Sequence, residues 1–70
     1  MTFSTVSVDY HNPHWRVRVP GEGVDRSHHR TSEAAIAAGR ALARRWQTEL
    51  VVHDHGGRIV ERTSYRISSL

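Results

Sequence analysis

The chain has 70 residues, with ten Arg and no Lys, seven Asp plus Glu, six His and no Cys, for a formal charge of +3. That length is one domain at most, and a domain this small buries only about 60% of its unfolded surface, so its core calls for a staple. Without Cys, disulfides, thiolate zinc sites and a cysteine nucleophile are all excluded; metal held by His, or self-association, remains.

Hydrophobic residues make up 37% of the chain and the mean hydropathy is −0.58, as in a soluble domain. No apolar run approaches the roughly 20 residues of a membrane helix. Met1-Thr2-Phe3-Ser4 has neither a basic n-region nor an apolar h-region, so a cytoplasmic location is expected. The replacement of every Lys by Arg has two readings: a G+C-rich coding bias, or selection for planar, bidentate contacts to phosphate or carboxylate.

From Thr5 to Tyr10 the residues alternate, with Val6, Val8 and Tyr10 on one face and Thr5, Ser7 and Asp9 on the other, the period of a half-buried strand. His11-Asn12-Pro13-His14 supplies turn chemistry. Trp15, Val17 and Val19 then alternate with Arg16 and Arg18, and the two runs predict a β-hairpin. Residues 20–31 hold one aliphatic side chain, Val24, and read as a long loop carrying Arg26, His28, His29 and Arg30.

Thr31-Ser32-Glu33 is a helix start, with a hydroxyl to cap free amides and an acid suited to the positive end of the dipole. The Ala-, Leu- and Arg-rich segment to about Thr48 places Ala35, Gly39, Leu42 and Trp46 in one arc, with Ile36, Ala38 and Ala43 at its edges. Glu33, Ala37, Arg40, Ala41 and Arg44 fall opposite. Gly39 at the centre of the inner arc is unfavourable in a helix by about 1 kcal/mol against Ala, which predicts close approach of helix to sheet.

Glu49-Leu50-Val51-Val52-His53 is a third strand, with Leu50 and Val52 expected inside. Asp54-His55-Gly56-Gly57 is a turn, and Arg58-Ile59-Val60-Glu61-Arg62 resumes the strand pattern with Ile59 inside. The expected fold is a single α+β domain over 1–70, frayed at 1–4 and 66–70. It has two layers in the order β-β-α-β-β, a mostly antiparallel four-stranded sheet with one helix on one face. Strand order does not follow from these patterns.

The Trp15-Arg16-Val17 strand, the helix from Glu33 to Ala43, Glu49-Leu50-Val51-Val52-His53, Gly57-Arg58-Ile59 and Ser64-Tyr65 together resemble a small bacterial family, domain of unknown function 2188. The resemblance covers about residues 15–65 and departs from the family picture in the His-rich turn Asp54-His55 and the lack of Lys. It implies a fold and a bacterial or phage origin, and no activity.

Six His invite a metal reading through His53 and His55 with His28-His29 or with His11 and His14. No pair is spaced four apart on the helix and His55 falls in a turn, so no metal or cofactor is expected and the ordinary reading is solvated imidazole. No nucleophile-elbow motif or Gly-rich phosphate loop is present, so neither an enzyme nor a small-molecule substrate is expected. What remains is binding. Homodimerisation, or docking of another protein, would use the open sheet face or an edge strand, through Arg16, Arg18, Val51, His53, Val60 and Arg62. The alternative is RNA or DNA bound by Arg16, Arg18, Arg26 and Arg30, with Trp15 or Tyr10 stacking on a base if exposed at a strand end.

Overall fold

The computed structural model describes residues 5–22 and 24–66. The expected β-β-α-β-β order is present, with one addition: β1 (Val6–His11), β2 (His14–Arg18), β3 (Ser27–His29), α1 (Ser32–Trp46), β4 (Glu49–His53) and β5 (Ile59–Ser64). The five strands form one mixed sheet in the order β3-β2-β1-β4-β5, where four were expected. The extra strand lies inside the segment read as a loop. Ser27, His28 and His29 have little strand propensity; pairing of Trp15 with His29 and Val17 with Ser27 imposes the extended form.

β1 pairs antiparallel with β2 and parallel with β4, while β4 pairs antiparallel with β5. The parallel pair follows from the helical crossover: α1 carries the chain back to the end of the sheet from which β1 started, so β4 runs beside β1 in the same sense. The sheet is therefore mixed, with the β1–β4 pair parallel and the other three pairs antiparallel.

α1 covers one face. Thr31 caps it, its Oγ1 accepting from Ala34 N–H at 3.1 Å. At the other end Gln47 takes a left-handed conformation (φ 53°). Gln47 N–H bonds to Arg44 C=O at 3.2 Å and Thr48 N–H to Ala43 C=O at 3.0 Å, the paired bonds of a Schellman termination. Ala35, Gly39 and Ala43 form the buried stripe, with Ile36, Ala38, Leu42 and Trp46 packed at its margins. Opposite it lie Val6 and Val8 of β1, Val17 of β2, and Leu50 and Val52 of β4. Full burial of one such aliphatic side chain stabilises by about 2 kcal/mol, so this single layer of Val and Leu is the main source of stability. Leu50 and Val52 take the inner positions read from the sequence.

The segments 1–4 and 67–70 read as frayed lie outside the described residues; Arg66 lies within them, just after β5. Among the described residues, no helix is long and apolar enough to cross a membrane.

Candidate interaction surfaces

The sheet face away from α1 carries Ser7 and Asp9 of β1, Arg16 and Arg18 of β2, His28 of β3, Val51 and His53 of β4, and Arg62 of β5. Its centre is an ion-pair lattice. The hairpin register sets Asp9 opposite Arg16. Arg16 Nε donates to Asp9 Oδ1 at 2.7 Å and Nη2 to Oδ2 at 3.4 Å. Arg18 Nη1 lies 3.5 Å from Asp9 Oδ2. Asp25 approaches Arg16 at 4.0 Å and His28 Nε2 at 2.9 Å. The hydrogen bond to Asp9 and, secondarily, the charges of Asp9 and Asp25 hold the Arg16 proton more firmly than usual, against a desolvation that works the other way. Arg16 therefore already has a carboxylate partner in its own chain.

Val51 is on the open face as expected, yet only 8% exposed, covered by its neighbours. His53 is half-buried, with Nδ1 3.1 Å from the Val8 carbonyl. Ile59, expected inside, is 51% exposed. The register explains the difference: Val52 pairs with Glu61 but His53 with Ile59, so the ladder skips Val60 and turns Ile59 off the core side. Val60 is 60% exposed at the skip, and Arg62, opposite Val51, is exposed on the open face.

The residues named for nucleic acid are spread out. Arg26 Nε and Nη2 donate to Glu22 at 3.1 and 2.9 Å, and its guanidinium lies 4.6 Å from the Trp46 ring centroid. Arg30 is exposed just ahead of α1. Tyr10 and Trp15 are half-buried and meet in a tilted contact within the chain: their centroids are 5.1 Å apart, and His55 lies 4.1 Å from Tyr10, edge-on, and 5.3 Å from Trp15. The six His are dispersed in the same way. His29 lies beside Ser27 Oγ at 2.8 Å, and His14 and His28 are 6.1 Å apart. Among the described residues no group of three or more His, Asp or Glu is placed to hold a metal ion.

Two features escaped the sequence reading. Asp9 and Asp25 are the acids that neutralise the open face; a two-residue turn at Asn12-Pro13 implies the Asp9–Arg16 pairing, so the first was legible. The second surrounds Tyr65. Arg40, expected to be solvated, reaches across to β5: Nη1 donates to Tyr65 Oη at 2.8 Å and Nη2 to Glu61 Oε1 at 3.3 Å. Arg44 lies 5.6 Å above the Tyr65 ring, and Tyr65 N–H bonds to Thr48 C=O at 3.0 Å. This joins the end of β5 to the end of α1.

Fold and surface together define a class: a small one-helix α+β domain with an open, internally ion-paired sheet face. The chain belongs to the family described as uncharacterized protein conserved in bacteria (DUF2188), whose model matches residues 5–65. Comparison with curated proteins and with solved structures finds no matching chain.

Proposed function

We propose that this domain is a non-enzymatic interaction module that self-associates through the free edge of β5. The observation that carries this reading is the edge itself: six residues paired on one side only, opening with the exposed Ile59 and Val60. The opposite edge, β3, has three residues and is blunted by its shortness. The ion-paired centre of the open face has little unsatisfied surface to offer, which moves the docking position outward from Arg16 and Arg18 to Val60 and Arg62.

The Tyr65–Thr48 bond fixes the phase of the β4–β5 ladder. Alternation then points the amides of Thr63 and Glu61 towards β4, and those of Arg62 and Ser64 outward. A second β5 can use these groups in an antiparallel register centred on Thr63, with Arg62 opposite Ser64 of the other copy. A register centred on Arg62 would oppose like charges and is disfavoured. Arg62 thereby selects the register as well as guarding the edge against indiscriminate pairing.

The test is light scattering up to high micromolar concentration, combined with Thr63→Cys under oxidising conditions. The chain has no Cys of its own, so any disulfide reports the new one. Facing residues at a non-hydrogen-bonded position are within disulfide reach. Dimers by scattering, cross-linked at position 63 and not in Ser7→Cys, are expected. A monomer at high concentration with no cross-link overturns the proposal.

A further inference from the structure

We propose that the open sheet face binds single-stranded nucleic acid in mildly acidic solution and releases it at neutral pH, through His11, His14, His28 and His53. Although among the described residues no three of them are placed to hold a metal ion, these four of the six His share one face. Arg16 pairs with Asp9 and with His28, so these three side chains form a row on the side away from α1. The parallel register sets Val8 beside Val52, and His53, one step on, continues that row beside Asp9. The neighbouring row is His11 opposite His14, and the His14 and His28 ring centroids are 6.1 Å apart. His28 and His53 are thus three strand spacings apart, about 14 Å, with His11 and His14 beside the line that joins them. The other two His lie on the α1 side: His29 pairs with Trp15, and His55 rests against Tyr10 and Trp15.

At neutral pH the charges of this face are balanced. The strands present Arg16, Arg18 and Arg62, and Asp9, Asp25 and Glu49 stand 2.7 to 4.0 Å from them as ion-pair partners. Imidazole is the side chain that ordinarily changes charge between about pH 5 and 8, so acid adds positive charge here beyond what the carboxylates balance. His28 Nε2 donates to Asp25 Oδ2 at 2.9 Å, which leaves Nδ1 to take a proton; the imidazolium then shares Asp25 with Arg16. His53 Nδ1 donates to the Val8 carbonyl at 3.1 Å, so Nε2 is its free nitrogen, with Asp9 beside it on β1 and the uncharged Ile59 on β5. His11 and His14 face each other and His14 faces His28, so like charges gather at this end of the sheet as protons bind. A polyanion relieves that repulsion, and its binding and the uptake of protons therefore assist one another.

A single strand suits the surface because its phosphates answer the charge while imidazole rings stack on its unpaired bases. His11, His14 and His28 are exposed and His53 half-buried, so the rings are within reach. An anionic membrane is served less well. The large exposed hydrophobic residues are Val24, in a loop, and Ile59 and Val60 at the sheet margin, so the centre of the face offers a bilayer nothing to insert. The four His belong to β1, β2, β3 and β4, so this binding does not depend on self-association through β5.

The experiment is fluorescence anisotropy with a labelled oligothymidylate of about 20 nucleotides, at about pH 5.5 and about pH 7.5, from about 50 to 200 mM salt. Thymine does not titrate in this range, so any pH dependence belongs to the protein. Four phosphate contacts on a single strand predict that affinity in acid falls about 50-fold across the salt range. At the lowest salt, affinity should be at least about tenfold higher in acid than at neutral pH. His14→Gln with His28→Gln should bring that ratio below about threefold, and His11→Gln with His53→Gln, the second pair, should lower it as well. His29→Gln with His55→Gln removes as many imidazoles from the α1 side and should leave the ratio above about tenfold. Circular dichroism at both pH values confirms that each variant is folded. Equal losses from the His14/His28 and His29/His55 variants overturn the proposal, as does binding that is absent in acid or independent of pH. Binding to phosphatidylserine vesicles in acid without binding to oligothymidylate also overturns it.

Discussion

Gly39 of α1 sits so close to Val8 of β1 that a Cβ on the glycine would lie 2.6 Å from Val8 Cγ2 and 3.2 Å from Leu50 Cδ1. Val8 is fully buried and β-branched, so it has no free rotamer into which to retreat. Gly39→Ala should therefore destabilise the domain by about 1–2 kcal/mol, even though Ala is the better helix former by about 1 kcal/mol. Urea unfolding of the variant measures this, and a gain in stability would show that helix and sheet can separate without loss.

Gln47 presents the opposite case. It closes α1 at φ 53°, a conformation that a side chain resists and glycine adopts freely. Its side chain is exposed and its amide is already used in the termination. Gln47→Gly should stabilise the domain by about 0.5–1 kcal/mol, seen as a rise in Tm of several degrees. An unchanged or lower Tm would place the requirement on the Gln side chain.

Comparison of these two positions indicates what a linear pattern can and cannot express. Gly39 was legible because a helical period put a glycine in the centre of an apolar arc, and only a close neighbour explains it. The inner residues Val6, Val8, Val17, Leu50 and Val52 were legible by the same means. β3 was not, because nothing in Ser27-His28-His29 favours a strand; it forms by lying against β2. Ile59 was misplaced because one skipped residue at Val60 reverses the alternation, and skips leave no periodic trace. The Arg of β2 were placed on the correct face but read as available, since Asp25, which helps to neutralise them, comes from the segment taken for a loop.

The Asp9–Arg16 pair should contribute more than an ordinary surface ion pair. Both side chains are about four-fifths covered and the contact is bidentate, so the two charges are held with little solvent between them. A double-mutant cycle with Asp9→Ala and Arg16→Ala should give a coupling of about 1–2 kcal/mol, against about 0.2–1 kcal/mol for exposed pairs. The exposed Arg26–Glu22 pair is the internal comparison and should couple more weakly. Similar couplings for both pairs would remove the distinction drawn between the sheet lattice and the loop.

Acid should act on Glu61 before it acts on the apolar core. The Thr63 hydroxyl and, after it, the Arg40 guanidinium favour the ionised carboxylate and hold its pKa below the usual range near about 4.3, despite a desolvation that pushes it up. A carboxylate depressed in the folded state stabilises the fold above its unfolded pKa, and that stabilisation is lost as pH falls through the folded value. Asp54, whose pKa is lowered chiefly by the Arg58 amide, acts in the same direction. The stabilisation contributed by these two carboxylates should therefore be fully present above about pH 5 and be lost as pH falls below about 4.5. Glu61→Gln should be less stable at neutral pH, because Arg40 loses its counter-charge, yet show a shallower decline in acid. Urea midpoints from pH 3 to 7 measure both. An acid decline as steep in Glu61→Gln as in the parent chain would mean that the α1–β5 clasp is held by Arg40 and Tyr65 alone.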